Sequence, residues 1–114
     1  MYTLLLVLAV VGGEPAEKPR FIVLSASWCP PCEHMRTVVI PAVAKAGGMS
    51  HVDYYRIDVD KYPAFAAKYM RMTKSRQIPQ LMLFVKFDGK WFCRYHIGGM
   101  EAEELKELLT VRRK

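Results

Sequence analysis

Four consecutive apolar residues of β-forming type, Phe21-Ile22-Val23-Leu24, are followed after only Ser25-Ala26-Ser27 by Trp28-Cys29-Pro30-Pro31-Cys32. A continuous apolar run of that length marks a strand buried on both faces. Beyond the cysteines, Met35, Val38, Val39, Ala42 and Val43 recur at helical spacing, and Gly47-Gly48 supplies a helix stop. A buried strand must therefore pass into a helix through a turn of a few residues that carries two thiols. Pro41 falls inside this helix, where it lacks an N–H and crowds the carbonyl of Thr37, so a kink is expected there.

The remaining pattern extends that unit. Residues 51–58, HVDYYRID, read as a second strand. Asp60 is a candidate N-cap for a helix in which Tyr62, Phe65, Ala66 and Tyr69 share a face. Two apolar runs around Asp88-Gly89 predict a β-hairpin over residues 80–96. Gly98-Gly99 interrupts the chain, and a final helix follows with acids early and Leu105, Leu108 and Leu109 inward. Strand, helix, strand, helix and then hairpin and helix predict an α/β fold with a parallel βαβ core, written βαβ-α-ββα.

The chain has 114 residues, enough for one domain with its own core. That domain is expected over residues 20–114, preceded by a separate segment, 1–19. The segment reads in two ways. Its apolar run Leu4–Val11 is too short for a bilayer, which needs about 20 residues, but it has the length of a signal-peptide core. It also suits a buried first strand, and no Lys or Arg precedes it as an export signal would require. Export is favoured over a cytoplasmic location on its length and the small residues after it, and membrane association follows only if the segment is retained. The net charge of +6 is scattered except at Arg71, Lys74 and Arg76 and at the C-terminal Arg112-Arg113-Lys114. No basic stripe interleaved with aromatics is present, so nucleic acid is not an expected partner.

Three cysteines are too few for a disulfide framework, and their odd number leaves one over. Cys29 at a helix N-terminus would meet unpaired N–H groups and partial positive charge, which favour its thiolate. Cys32, one turn on, is within reach of any disulfide formed on Cys29. Pro30 and Pro31 suit the first turn, where a missing N–H costs little. Haem attachment needs a histidine directly after the second cysteine, but residue 33 is Glu and His34 comes one position late. A structural zinc needs a second ligand cluster, which Cys93, His34, His51 and His96 do not form in sequence. Inert packing of both thiols fits poorly with flanking prolines and the polar Glu33. Redox chemistry is the reading left with most support, without metal or other cofactor. Cys93, between Phe92 and Arg94, reads as a small core residue.

The stretch FIVLSASWCPPC, followed in order by YRIDVDKYPAFAAKY, IPQLMLF, DGK and IGGMEAEELKELL, resembles the thioredoxin superfamily over roughly residues 20 to 110. The resemblance implies a central mixed sheet flanked by helices and a monomer acting on protein disulfides. Cys29 would be the nucleophile and Cys32 the resolving thiol, with a separate dithiol reductase returning the electrons. It also implies a cis peptide at Ile78-Pro79 beside the cysteines, and a substrate groove formed by Trp28, Pro30, Pro31, Ile78, Pro79, Ile97 and Gly98. An oxidase or isomerase, or a binding module without turnover, are the alternatives.

Three departures stand out. The family's buried Asp, six residues before the first cysteine, is replaced by Val23, which leaves Glu33 or a water to take the proton of Cys32. The link YMRMTKSRQIP is about four residues longer than usual, and its added part is basic, which favours an acidic partner surface. Pro41 lies nine residues after Cys32, farther than the family's usual helix proline.

Overall fold

The computed structural model describes residues 17–111. Strand β1, Arg20–Ser25, lies at the centre; β2 is Asp53–Asp58, β3 is Gln80–Phe87 and β4 is Lys90–Ile97. Among the described residues the sheet order is β2-β1-β3-β4. β2 is parallel to β1, Arg20 opposite Asp53 and Ser25 opposite Asp58. β3 is antiparallel to β1, and β4 to β3. The mixed sheet and the βαβ-α-ββα order match the sequence expectation. The segment 1–19, with its choice between leader and strand, lies outside the described residues up to position 16, as does the basic terminus 112–114.

Side chains of β1 alternate between two cores. Phe21 and Val23 join Leu81, Leu83, Met35, Val39 and Leu105 on one face. Ile22 and Leu24 join Met82, Ile57, Ala66 and Tyr69 on the other. Helices therefore cover both faces of β1, which is why its apolar residues run on without alternation. Burying a Phe or Leu as completely as Phe21, Leu24 or Leu81 stabilises the fold by about 1.5–3 kcal/mol per side chain.

The helix after the cysteines is continuous but not uniform. α1, Pro30–His34, passes into a π-helical stretch, Met35–Val39, and then into α2, Ile40–Lys45. The Ile40 N–H donates to the Met35 carbonyl, five residues back. The expected disturbance at Pro41 is thus taken up by a wider turn just before it, with Pro41 in the first turn of α2. Gly47, at φ +85°, ends the segment, and the Gly48 N–H donates to the Val43 carbonyl at 2.9 Å. A β-carbon on Gly48 would lie 2.7 Å from Val43 Cγ1, so glycine is needed there for space.

Helix α3, Pro63–Thr73, packs on the second face through Ala66 and Tyr69, while Tyr62 and Phe65 remain exposed. Asp60 does not cap it; the N-cap is Tyr62. Asp58 shapes the preceding turn instead, its Oδ1 accepting the N–H groups of Asp60 at 2.9 Å and Lys61 at 3.2 Å. Asp88 and Gly89, both at positive φ, make the two-residue hairpin turn between β3 and β4. α4, Ala102–Leu108, starts with the Glu101 N–H donating to Glu104 Oε1 at 3.0 Å and buries Leu105 and Leu108.

Cys93 departs from expectation. It is a free, exposed cysteine on β4 rather than a core residue. β4 is an edge strand among the described residues, and Trp91, Phe92 and Tyr95 around Cys93 are exposed as well.

Candidate active site

Strand β1 ends at Ser25, and the turn Ala26–Trp28 delivers Cys29 to the start of the helix. Cys29 is itself the N-cap, with extended backbone at φ −102°, and its Sγ accepts the Cys32 N–H at 3.3 Å. Pro30 and Pro31 occupy the first helical turn. Cys29 and Cys32 are joined by a disulfide, their Cα atoms 5.2 Å apart. Both residues are nearly enclosed, Cys29 at 4% and Cys32 at 2% exposure, in a small cluster with Ala26, Val59 and Ile78. The turn's outer face is Trp28, 66% exposed, whose Nε1 donates to Asp60 Oδ2 at 2.7 Å.

The second side of the site comes from the start of β3. The Ile78–Pro79 peptide is cis, and the Ile78 carbonyl oxygen lies 3.9 Å from Cys29 Sγ. Pro79 is fully buried, and its carbonyl accepts the Gly98 N–H at 2.7 Å. That bond ties the end of β4 to the start of β3, beyond the Gln80–Ile97 pair. Gly98, at φ +101°, adopts a conformation closed to other residues without strain, although a β-carbon there would meet nothing within 4 Å. Gly99 follows, its β-carbon position 3.8 Å from Pro31.

A third set of contacts holds the helix in place. Met35 Sδ accepts the Met100 N–H at 3.4 Å, and His34 Nε2 lies 3.8 Å from Glu101 Oε1. The residues singled out from sequence thus fall into linked groups. Trp28, Cys29, Pro30, Pro31 and Cys32 form the turn, with Ile78 and Pro79 against it and Ile97 and Gly98 bonded behind Pro79. Glu33 follows Cys32 on the exposed side, its Oε2 2.6 Å from Arg36 Nη2. Val23, where an acid would be expected, is buried among Met35, Val39, Leu81 and Leu105. Among the described residues, no three His, Cys, Asp or Glu groups are placed to hold a metal ion.

Two residues escaped the sequence reading. Asp60 serves as the acceptor for Trp28 rather than as a helix cap. Gln80, wholly buried at the start of β3, bonds to the loop before Pro79: its Nε2 donates to the Ser75 carbonyl at 2.9 Å and the Gln77 carbonyl at 3.0 Å. A polar residue opening the apolar run QLMLF was its only local signal.

The family model named Thioredoxin matches residues 14–111. The chain belongs to the thioredoxin family. It is 32% identical over 104 residues to a thioredoxin-like protein of Synechocystis sp., covering 90% of this chain and 87% of that protein. It is also 29% identical over 92 residues to a chloroplastic thioredoxin Y of Oryza sativa, covering 81% of this chain but 49% of that sequence. This thioredoxin-family chain therefore spans about half the length of that relative. A mutant thioredoxin of Halobacterium salinarum has a similar structure, with a TM-score of 0.60 and 26% identity over 81% of this chain and 72% of that one. A thioredoxin domain with its two active-site cysteines joined as a disulfide is an arrangement suited to thiol–disulfide exchange.

Proposed function

We propose that the chain is a thiol–disulfide oxidoreductase that reduces protein disulfides. The reduced Cys29 thiolate attacks one sulfur of a substrate disulfide, forming a mixed disulfide and expelling the other substrate sulfur as a thiolate that takes up a proton. Cys32 then loses its proton and attacks Cys29 Sγ. The Cys29–Cys32 disulfide forms and the second substrate thiol is released. Two electrons and two protons pass to the substrate, and a separate dithiol protein restores the reduced pair. No cofactor is required for either step.

The observation that carries this reading is the bond from the Cys32 N–H to Cys29 Sγ at 3.3 Å. It places a donor on the sulfur that must bear negative charge. It also bears on direction. Pro30 and Pro31 have no N–H, so the first turn offers Cys29 fewer donors than an ordinary helix start. A less stabilised thiolate makes the disulfide a weaker oxidant and the dithiol a better reductant. Water takes the Cys32 proton in this account, since the Glu33 carboxylate is engaged by Arg36.

Trp28, Pro30, Pro31, Ile78, Ile97 and Gly98 form the groove that receives the substrate chain, with Pro79 buried beneath it, and the Ile78 carbonyl beside Cys29 offers it backbone. A chain reduced with dithiothreitol and freed of reductant should generate thiols from a protein disulfide in stoichiometric amount. Cys32→Ser should trap the mixed disulfide on Cys29, because no resolving thiol remains. The near-enclosure of both cysteines favours one second reading, a binding module without turnover. A Cys29→Ser, Cys32→Ser double variant that retains biological function would select it.

A further inference from the structure

The loop between α3 and Pro79 is built by a buried side chain that the redox chemistry does not use. Gln80 sits opposite Leu24 and Ile97 in the sheet and is fully enclosed. Its amide nitrogen holds the carbonyls of Ser75 and Gln77, and its Oε1 lies 2.9 Å from Thr73 Oγ1. Lys74 ends α3 in the left-handed conformation at φ 59°, and the Gln77 N–H donates to Ser75 Oγ at 3.1 Å. A buried amide with its partners satisfied fixes the backbone it contacts, so residues 73–77 have a set shape.

This shape presents Lys74 and Arg76, which with Arg71 of α3 are exposed around a depression of about 420 Å³ also lined by Ala67, Met70 and Ser75. None of the three cations is among the ion pairs formed within the described residues. The Arg76 end of the patch lies close in the chain to the redox centre. Arg76 is two residues before Ile78, whose carbonyl is 3.9 Å from Cys29 Sγ. Two residues of chain span at most about 7 Å. A protein that reaches the disulfide therefore comes near the backbone of Arg76.

We propose that Arg71, in the last turn of α3, and Lys74 and Arg76, on the loop fixed by Gln80, form a docking surface for carboxylate-bearing segments of the protein that exchanges electrons with Cys29–Cys32. This rests on the oxidoreductase reading and names the chemistry of its partner. Exposed cations of one sign beside a reactive centre raise the encounter rate with acidic surfaces and select against basic ones.

Two cyclic disulfide peptides test it, identical except that the ring is flanked by four Glu in one and four Gln in the other. The reduced full chain should reduce the Glu-flanked peptide about tenfold faster at low ionic strength. The ratio should fall toward one near 1 M salt, where the screening length is about 3 Å. In Arg71→Glu, Lys74→Glu, Arg76→Glu the ratio should fall to one or below, and the ratio is read whatever the variant's absolute rate. Equal reduction of both peptides by the unaltered chain at low salt overturns the docking surface and leaves the oxidoreductase reading standing. A preference that persists in the triple variant places the selectivity elsewhere and also overturns it. Reduction of neither peptide overturns both readings.

Discussion

Trp28 Nε1 donates to Asp60 Oδ2 at 2.7 Å, joining the active-site turn to the turn after β2 across thirty-two positions of sequence. Asp58 makes this possible by accepting the backbone N–H groups of Asp60 and Lys61, which leaves the Asp60 carboxylate for the indole. Asp60→Ala should release Trp28 while changing stability by no more than about 1 kcal/mol, since the bond is exposed. Trp28 emission should shift in a Trp91→Phe background. The rate of protein disulfide reduction should fall several-fold, and an unchanged rate with a shifted emission would remove the indole from substrate positioning.

Gly98 is fixed by backbone geometry. Gly98→Ala meets no atom within 4 Å, so its cost comes from φ +101° alone. A loss of about 1–3 kcal/mol is expected by denaturant unfolding. Gly99→Ala is the control: its new β-carbon would touch Pro31 at an ordinary 3.8 Å, and the change should stay within about 0.5 kcal/mol.

Val23 marks where an acid is missing. Val23→Asp would place a carboxyl among Met35, Val39 and Leu81 and should cost about 2–4 kcal/mol at neutral pH. Burial would raise its pKa above the unfolded value of about 3.9, so the penalty should grow as pH rises past that value and relax below it. The variant should add a titration to the pH–rate profile of disulfide reduction. Glu33→Gln should leave that profile as it is, and a lost titration there would return the proton-accepting role to Glu33.

Cys93 is exposed, yet its surroundings disfavour the thiolate. Partial desolvation by its neighbours holds its thiol pKa above the usual value, so less thiolate is present near neutral pH. In the reduced chain, iodoacetamide should label Cys29 before Cys93 near neutral pH. Labelling of Cys93 should gain on that of Cys29 as pH is raised. Mass spectrometry of the two peptides reads the order, and faster labelling of Cys93 at neutral pH would contradict it.

What the sequence disclosed follows the range of its rules. Phe21–Leu24, Asp88-Gly89 and Gly47-Gly48 act through neighbours within a few residues, and the strand, hairpin turn and helix stop lie where they indicate. The linked cysteine turn was readable for the same reason. Pro41 was read as a disturbance, but residue type does not mark its relief as the π-helical stretch Met35–Val39. Asp60 depended on a partner thirty-two positions away, and Gln80 on a loop three to seven residues back that has no periodic pattern. Asp60 found Trp28 instead of a helix end, and Gln80 found a loop that only the folded sheet brings over it. Cys93 is exposed on β4, an edge strand among the described residues whose side chains residue type does not mark as uncovered.

The central claim is that Cys29–Cys32 is a reducing dithiol, and its equilibrium with glutathione tests that most directly. With the Cys32 N–H the one donor to the Cys29 sulfur among the described residues and two prolines withholding theirs, the pair should have a potential more negative than about −250 mV, below or near the glutathione poise. A value above about −180 mV would make the chain an oxidant or isomerase, and a pair that does not exchange at all would contradict catalysis itself.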